Sequence, residues 1–89
     1  MREITPDLVR AGRGLAGLNI GEFAERAGVR RATLADFENG KRTPQPSTLR
    51  IFAITLEEIG IELEFGTKLR GRGVYWSKNK DPNQSAEAA

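Results

Sequence analysis

The spacing of small and apolar residues between positions 23 and 37 constrains the fold of this chain more than any other feature. Two short helices that cross at a steep angle need a small residue where they meet, a turn that accepts a positive φ, and apolar side chains that fill the wedge. Ala24 supplies the small residue and Gly28 the turn. Four side chains are suited to fill the wedge: Phe23, Val29, Leu34 and Phe37. We therefore predict a helix-turn-helix whose second helix begins near Arg31.

A further helix is predicted upstream of this pair. Thr5 is a good N-cap residue, Pro6 is tolerated at the first helical position, and Gly17 is suited to end the helix. The buried face of this helix is predicted to consist of Leu8, Ala11 and Leu15. The helix-turn-helix pair would then pack against this first helix.

Capping signals also predict the ends of the helix-turn-helix pair and of a fourth helix. Asn19 and Glu22 have the spacing of a capping box, and the second helix of the pair is predicted to end before Gly40. Ser47 is predicted to cap a fourth helix, which Gly60 closes. The apolar stripe of this fourth helix comprises Leu49, Phe52, Ala53, Leu56 and Ile59.

The hydrophobic period changes near the C-terminus. Residues 61–65 alternate apolar and acidic side chains, and residues 74–76 form a second β-prone run. Residues 77–89 hold nothing apolar beyond Ala and Pro and are predicted to be a disordered polar tail. The predicted fold is therefore mainly α, a compact four-helix domain over residues 1–76 that ends in a short β-hairpin or strand pair.

The chain has no Cys and no His. Their absence excludes disulfides, zinc clusters of the Cys/His kind, thiol nucleophiles and imidazole acid–base chemistry. We expect no enzymatic activity, no metal and no cofactor. The longest mostly apolar run, residues 51–56, is far below the roughly 20 residues that cross a bilayer, and no signal-peptide pattern is present. A cytoplasmic protein is expected.

Positive charge is concentrated around the helix pair. The whole chain has a formal net charge of only +2. Residues 26–50 contain six basic residues and two acidic ones, a local net charge of +4. Such a local excess favours a nucleic-acid partner for this part of the chain.

These positions together resemble the lambda-repressor-like family, also called the XRE or phage-repressor type, over about residues 4–59. The resemblance is carried by Arg13, Leu18-Asn19, Ala24, Ala27-Gly28-Val29 and Phe37-Glu38-Asn39-Gly40. It implies a bacterial or phage-encoded transcriptional regulator that binds double-stranded DNA as a homodimer at a palindromic operator, and we expect a repressor. It also implies an ion pair between Arg13 and Glu38 that ties the first helix to the end of the recognition helix.

The exposed N-terminal end of the recognition helix is predicted to meet base edges, because the major groove is about 12 Å wide and admits an α-helix. Arg31 has the donors for guanine, and Ala32 has a methyl group for thymine. Asp36 has an acceptor for cytosine and is also placed to orient Arg30 or Arg31, and Thr33 completes the set. The alternative is that Arg30 and Arg31 contact only phosphate.

Residues beside the recognition helix are predicted to position the protein on DNA. Asn39, Lys41 and Arg42 lie in the loop that is expected to cross the sugar-phosphate backbone, where the main-chain N–H groups would be free to donate. Asn19 is the corresponding contact before the pair.

Two residues depart from the family pattern. Ile20 stands where a glutamine usually contacts phosphate, which leaves Asn19 and main-chain amides to replace that contact. Arg30 stands where Ser or Thr usually caps the recognition helix, so an orphan N–H group is left to water or phosphate.

Two other functions remain open at this point. In an antitoxin-type regulator, the strand segment 61–76 would grip a toxin partner by edge pairing. In an anti-activator, the same fold would bind protein and not DNA. The dimer surface is also open, with one candidate pair in the fourth helix, Ile51 and Ile54, and another near the C-terminus, Tyr75 and Trp76. Either pair could instead only cap the core.

Overall fold

A computed structural model describes residues 4–67, 71–78 and 80–82 of the chain. The described residues form four helices, α1 (Pro6–Ala16), α2 (Ile20–Ala27), α3 (Arg31–Glu38) and α4 (Pro46–Ile59), followed by two strands, β1 (Ile61–Glu64) and β2 (Gly73–Trp76). The mainly helical fold with a short C-terminal strand pair is thus confirmed. No helix among these residues is long and apolar enough to cross a membrane.

Glycines end three of the helices, as the sequence predicts. Gly17, Gly28 and Gly60 adopt φ values of 74°, 72° and 109°, a region that glycine enters without steric cost. The capping box of α2 is also present, with the Asn19 side chain 2.8 Å from the Glu22 amide and the Glu22 carboxylate 2.9 Å from the Asn19 amide. Local signals therefore set the lengths of the first two helices.

One predicted cap is confirmed in position and one is wrong. Thr5 is the N-cap residue of α1, as predicted, although its hydroxyl makes no capping hydrogen bond and instead donates to the Asp7 carboxylate, which also accepts the Leu8 amide at 2.9 Å. Helix α4 begins at Pro46 with Gln45 as its N-cap, so Ser47 lies inside the first turn. The ring of Pro46 presets a helical φ at the first position, and the helix therefore begins two residues earlier than a Ser47 cap would allow.

The buried face of α1 also differs from the prediction. Leu8 is buried, but Ala11 and Leu15 are exposed, and the helix instead buries Val9 and Gly12. A Cβ added at Gly12 would lie 2.8 Å from a methyl group of Leu56 in α4. Because Gly12 has no side chain, α4 approaches α1 closely at this position. Helix α1 therefore buries the face that contains Gly12.

The core is built around Phe52 of α4. Its ring centroid lies 5.6 Å from that of Phe37 and 6.3 Å from that of Phe23, so one ring joins α2, α3 and α4. The predicted stripe of α4 is confirmed, because Phe52 and Leu56 are fully buried and its other members pack against the core. Thr55 is also buried, and its hydroxyl donates to the Ile51 carbonyl at 2.7 Å.

The strands form an antiparallel pair in which Ile61 faces Trp76 and Glu64 faces Gly73. Ile61 is buried against the helices, and Phe65 lies beyond the end of β1. An ion pair between Arg72 and Asp7 ties the pair to α1. Beyond β2, the Ser77 amide donates to the Gly60 carbonyl at 2.7 Å. The division at residue 76 stays a prediction, and position 79 and most of the predicted tail, 83–89, lie outside the described residues.

Candidate nucleic-acid interface

The turn at Gly28 aims the start of α3 outward. The Gly28 amide donates to the Glu25 carbonyl at 3.1 Å and the Val29 amide to the Ala24 carbonyl at 3.0 Å, so the two residues after α2 bind the carbonyl groups of its last turn. Ala24 and Leu34 are buried where the two helices meet. Because Leu34 anchors the inner face of α3, the preceding residues Arg30, Arg31 and Ala32 are left exposed.

The far end of α3 is held by the ion pair that the resemblance implies. The Arg13 Nε and Nη2 atoms each lie 2.8 Å from an oxygen of the Glu38 carboxylate, which is only 3% exposed. The hydrogen bond to Glu38 raises the pKa of Arg13 above its ordinary value. A third N–H group of Arg13 donates to the Leu18 carbonyl at 3.1 Å, so one guanidinium joins α1, the α1–α2 turn and α3.

Arg10 is a second tie to the end of α3 that the sequence reasoning missed. Its guanidinium donates to the main-chain carbonyl of Glu38. Arg10 precedes Arg13 by three residues, and residues three apart share a helix face. The spacing indicates that Arg10 and Arg13 lie on the same face of α1, but it does not indicate that Arg10 binds a main-chain carbonyl group.

The loop after α3 folds back onto the helix. The Lys41 and Arg42 amides donate to the Asp36 carbonyl at 2.8 Å and 3.3 Å, and Gly40 adopts a φ of 73° at the bend. The Asn39 amide also donates, to the Ala35 carbonyl at 3.0 Å. The prediction that the main-chain N–H groups at these three positions are free is therefore wrong, because they bind carbonyl groups of the last turn of α3. The side chains of Asn39, Lys41 and Arg42 remain exposed.

A groove lies between α3 and this loop. Four predicted DNA-contacting residues of the α3 region border it, together with four residues of the loop: Arg30, Ala32, Thr33, Asp36, Arg42, Thr43, Pro44 and Gln45. Sequence reasoning missed Thr43, Pro44 and Gln45, which carry no pattern of their own. Asn39 and Lys41 do not line the groove.

Arg31 lies on the other side of α3, against α2. A Cβ built on Gly21 would be 3.7 Å from the Arg31 Cζ atom and 3.4 Å from the side-chain oxygen of Asn19. The structure thus brings Asn19 and Arg31 together at the start of α2 and places Thr33 and Asp36 with Arg42 at the groove.

The charges of this surface are largely unpaired. All six basic residues between positions 26 and 50 are exposed, whereas one of the two acidic residues, Glu38, is buried against Arg13. Within the described part of the chain, Arg30, Arg31, Lys41 and Arg42 form no ion pair, and neither does Asp36. The surface around α3 therefore has basic side chains available for an external anion.

A family model for the helix-turn-helix of the XRE, lambda-repressor-like type matches residues 9–62, well over half of the chain. The chain belongs to this helix-turn-helix family. Its members are DNA-binding regulators of transcription, and α3 is the helix that such domains place in the major groove. A search of curated proteins finds no relative of the chain.

The two departures from the pattern of this helix-turn-helix family have structural consequences. Ile20 has an aliphatic side chain that packs against the core, so the start of α2 has no polar side chain at this position. Arg30 occupies the N-cap position of α3 and makes no side-chain hydrogen bond to the helix, so α3 begins without a side-chain cap.

Proposed function

We propose that this protein is a sequence-specific transcriptional repressor that binds a palindromic operator as a homodimer, with α3 in the major groove. The observation that carries the proposal is the exposed, unpaired and basic surface at the start of α3, on a helix whose other face is buried. As a regulator of transcription, it would act in the cytoplasm of a bacterium, with a dimer that covers its operator and blocks the polymerase.

The side chains at the start of α3 divide into base-reading and phosphate-binding roles. Arg31 would donate two hydrogen bonds to guanine, and Ala32 would contact a thymine methyl group. Thr33 and Asp36 would contact base edges from the side of α3 that borders the groove. The flanking polar side chains would bind phosphates and set the register: Asn19, Arg30, Asn39, Lys41 and Arg42.

A dimer follows from the size of the interface. One small module covers too little DNA for strong selectivity, whereas two copies related by a two-fold axis can read half-sites about 34 Å apart. Ile51 and Ile54 of α4 are 38% and 44% exposed, which is high for isoleucine and favours α4 as the contact between subunits.

Selection of bound sequences from a random duplex pool, followed by titration at several salt concentrations, tests the proposal. Arg31→Ala is expected to weaken binding by about 1–3 kcal/mol and to relax one operator position, whereas Lys41→Ala should weaken all sequences alike. Equal and sequence-blind losses from both substitutions would exclude base readout by Arg31. A wild-type titration that stays flat at low salt would overturn the DNA-binding proposal.

A second candidate function is favoured by a cleft between α4 and β1. The cleft is lined by Ala53, Glu57, Ile61, Glu62, Leu63, Phe65 and Ser77, so apolar side chains of the strand segment are accessible beside exposed acids. If a protein partner binds this cleft with a segment of basic and apolar side chains, the chain is an antitoxin-type regulator. Leu63→Lys should then abolish copurification of the partner and leave operator binding unchanged.

A further inference from the structure

Gly21 is a glycine that its backbone does not require. It lies in the first turn of α2 and is absent from the glycines with positive φ. Glycine destabilises a helix relative to alanine, so a reason other than conformation is needed for it here. The atoms nearest to an added Cβ would belong to Asn19 and Arg31, the latter at 3.7 Å from Cζ and 3.9 Å from Nε. The guanidinium of Arg31 therefore lies across the space that a side chain at position 21 would occupy.

Arg31 has no polar partner within the described part of the chain. It is exposed, and its guanidinium makes neither a hydrogen bond nor an ion pair there. The position next to its guanidinium is that of the Gly21 backbone, where no side chain is present.

We propose that Gly21 is a specificity-determining residue that acts by positioning Arg31, an inference that rests on the proposed operator binding. Bidentate recognition of guanine requires the guanidinium plane to be held in one orientation. With glycine at position 21, the guanidinium lies beside the first turn of α2. A larger side chain at this position occupies the same space and moves the guanidinium to a different rotamer, so that its donors no longer align with the same base edge.

Three substitutions at position 21 separate this role from stability. In Gly21→Ala, the added methyl group lies in ordinary contact distance of Arg31, so the wild-type operator preference is expected to persist. In Gly21→Leu, the side chain displaces Arg31, and discrimination at one base pair is expected to fall roughly 5- to 150-fold, as for loss of the arginine contact. Gly21→Gln supplies a second displacing side chain of different polarity. Urea unfolding should show all three at least as stable as the wild type, because glycine is removed from a helix.

A double-mutant cycle with Arg31→Ala decides the mechanism. If Gly21 acts through Arg31, Gly21→Leu relaxes the same operator position as Arg31→Ala and causes no further loss in the double variant. Additive losses, or an unchanged preference in Gly21→Leu, would overturn the inference while leaving the repressor proposal intact. A wild-type protein that selects no sequence from the pool would overturn both.

Discussion

Glu38 shows how a single residue connects the stability of the core to the interface. Its carboxylate is 3% exposed and has a charge that desolvation would make costly without a partner. Arg13 supplies that partner with two hydrogen bonds of 2.8 Å, and Arg10 binds the carbonyl of the same residue. The end of α3 is thereby held by α1, so the orientation of α3 depends on two arginines of another helix.

Removal of either partner should have unequal effects. Arg13→Ala leaves a buried, unpaired carboxylate and is expected to lower the free energy of unfolding by about 3–5 kcal/mol. Glu38→Gln leaves Arg13, which is 20% exposed and can turn toward water, so a smaller loss of about 1–2 kcal/mol is expected. Urea denaturation of both variants measures the difference. Losses below about 0.5 kcal/mol in both would contradict a structural role for the pair.

Asp7 predicts a pH dependence of stability. The hydrogen bond from Thr5, together with Arg72, lowers the pKa of Asp7 from 3.8 to about 2. A carboxyl group whose pKa is depressed on folding stabilises the folded state above its unfolded pKa, and this contribution is lost as the pH falls from about 3.8 to 2. The side chain is 44% exposed, so solvent screening limits the contribution to under about 1 kcal/mol.

Asp7→Asn tests this dependence. The difference in unfolding free energy between wild type and variant should be constant above pH 5 and should shrink toward zero near pH 2. Arg72→Ala serves as the matched control, because it removes one of the three hydrogen-bonding partners of the Asp7 carboxylate and should narrow the pH window. A difference that stays constant down to pH 2 would exclude the proposed interaction.

At the scale of elements, the packing of α1 on α4 depends on a glycine. Gly12 is buried against Leu56, whereas Gly14, two residues later, is exposed and has nothing within 4 Å of an added Cβ. Both glycines lie inside α1 and adopt helical backbone angles. The chain therefore offers a matched pair in which only the tertiary contact differs.

Alanine at these two positions should have opposite effects. Gly14→Ala is expected to stabilise the protein by about 0.5–1 kcal/mol through helix propensity alone. Gly12→Ala gains the same propensity but forces the fully buried Leu56 to move, and a net loss of about 1–3 kcal/mol is expected from overpacking. Thermal and urea unfolding measure the stability of both variants. If Gly12→Ala stabilised the protein as much as Gly14→Ala, α4 would be able to move away from α1 without loss of stability.

At the scale of the whole molecule, the small net charge conceals a polarised surface. Residues 26–50 carry a net charge of +4, with all six basic side chains exposed, whereas residues 57–64 contain four acidic residues and no basic one. The α3 surface would thus attract DNA, and the end of α4 with β1 would repel it. This polarity would orient the protein as it approaches the duplex.

The salt dependence of DNA binding should report this polarity. Arg42→Ala is expected to reduce the slope of log K against log salt by about 0.9 for each protomer, because one phosphate contact is lost. Glu62→Gln, on the acidic surface, is the control and should leave the slope unchanged. An unchanged slope in Arg42→Ala would remove this residue from the set that binds phosphate.

Local signals were sufficient for much of the fold. The three glycine stops, the capping box at Asn19 and the apolar spacing around Gly28 each act within a few residues of chain, and all were predictable for that reason. The start of α3 at Arg31 follows from the same spacing. The ion pair of Arg13 and Glu38, in contrast, was expected only through the family resemblance, because its partners lie 25 residues apart.

The amino-acid sequence by itself determined where the helices end, which helix pair crosses at Gly28, and where basic charge accumulates. Only the tertiary structure decided which face α1 buries, that the Lys41 and Arg42 amides serve the Asp36 carbonyl, and that Arg31 lies on Gly21. These features depend on which side chains meet after residues distant in sequence pack together. Capping and periodicity act over single turns, whereas contacts such as that of Gly12 with Leu56 exist only once the core has formed.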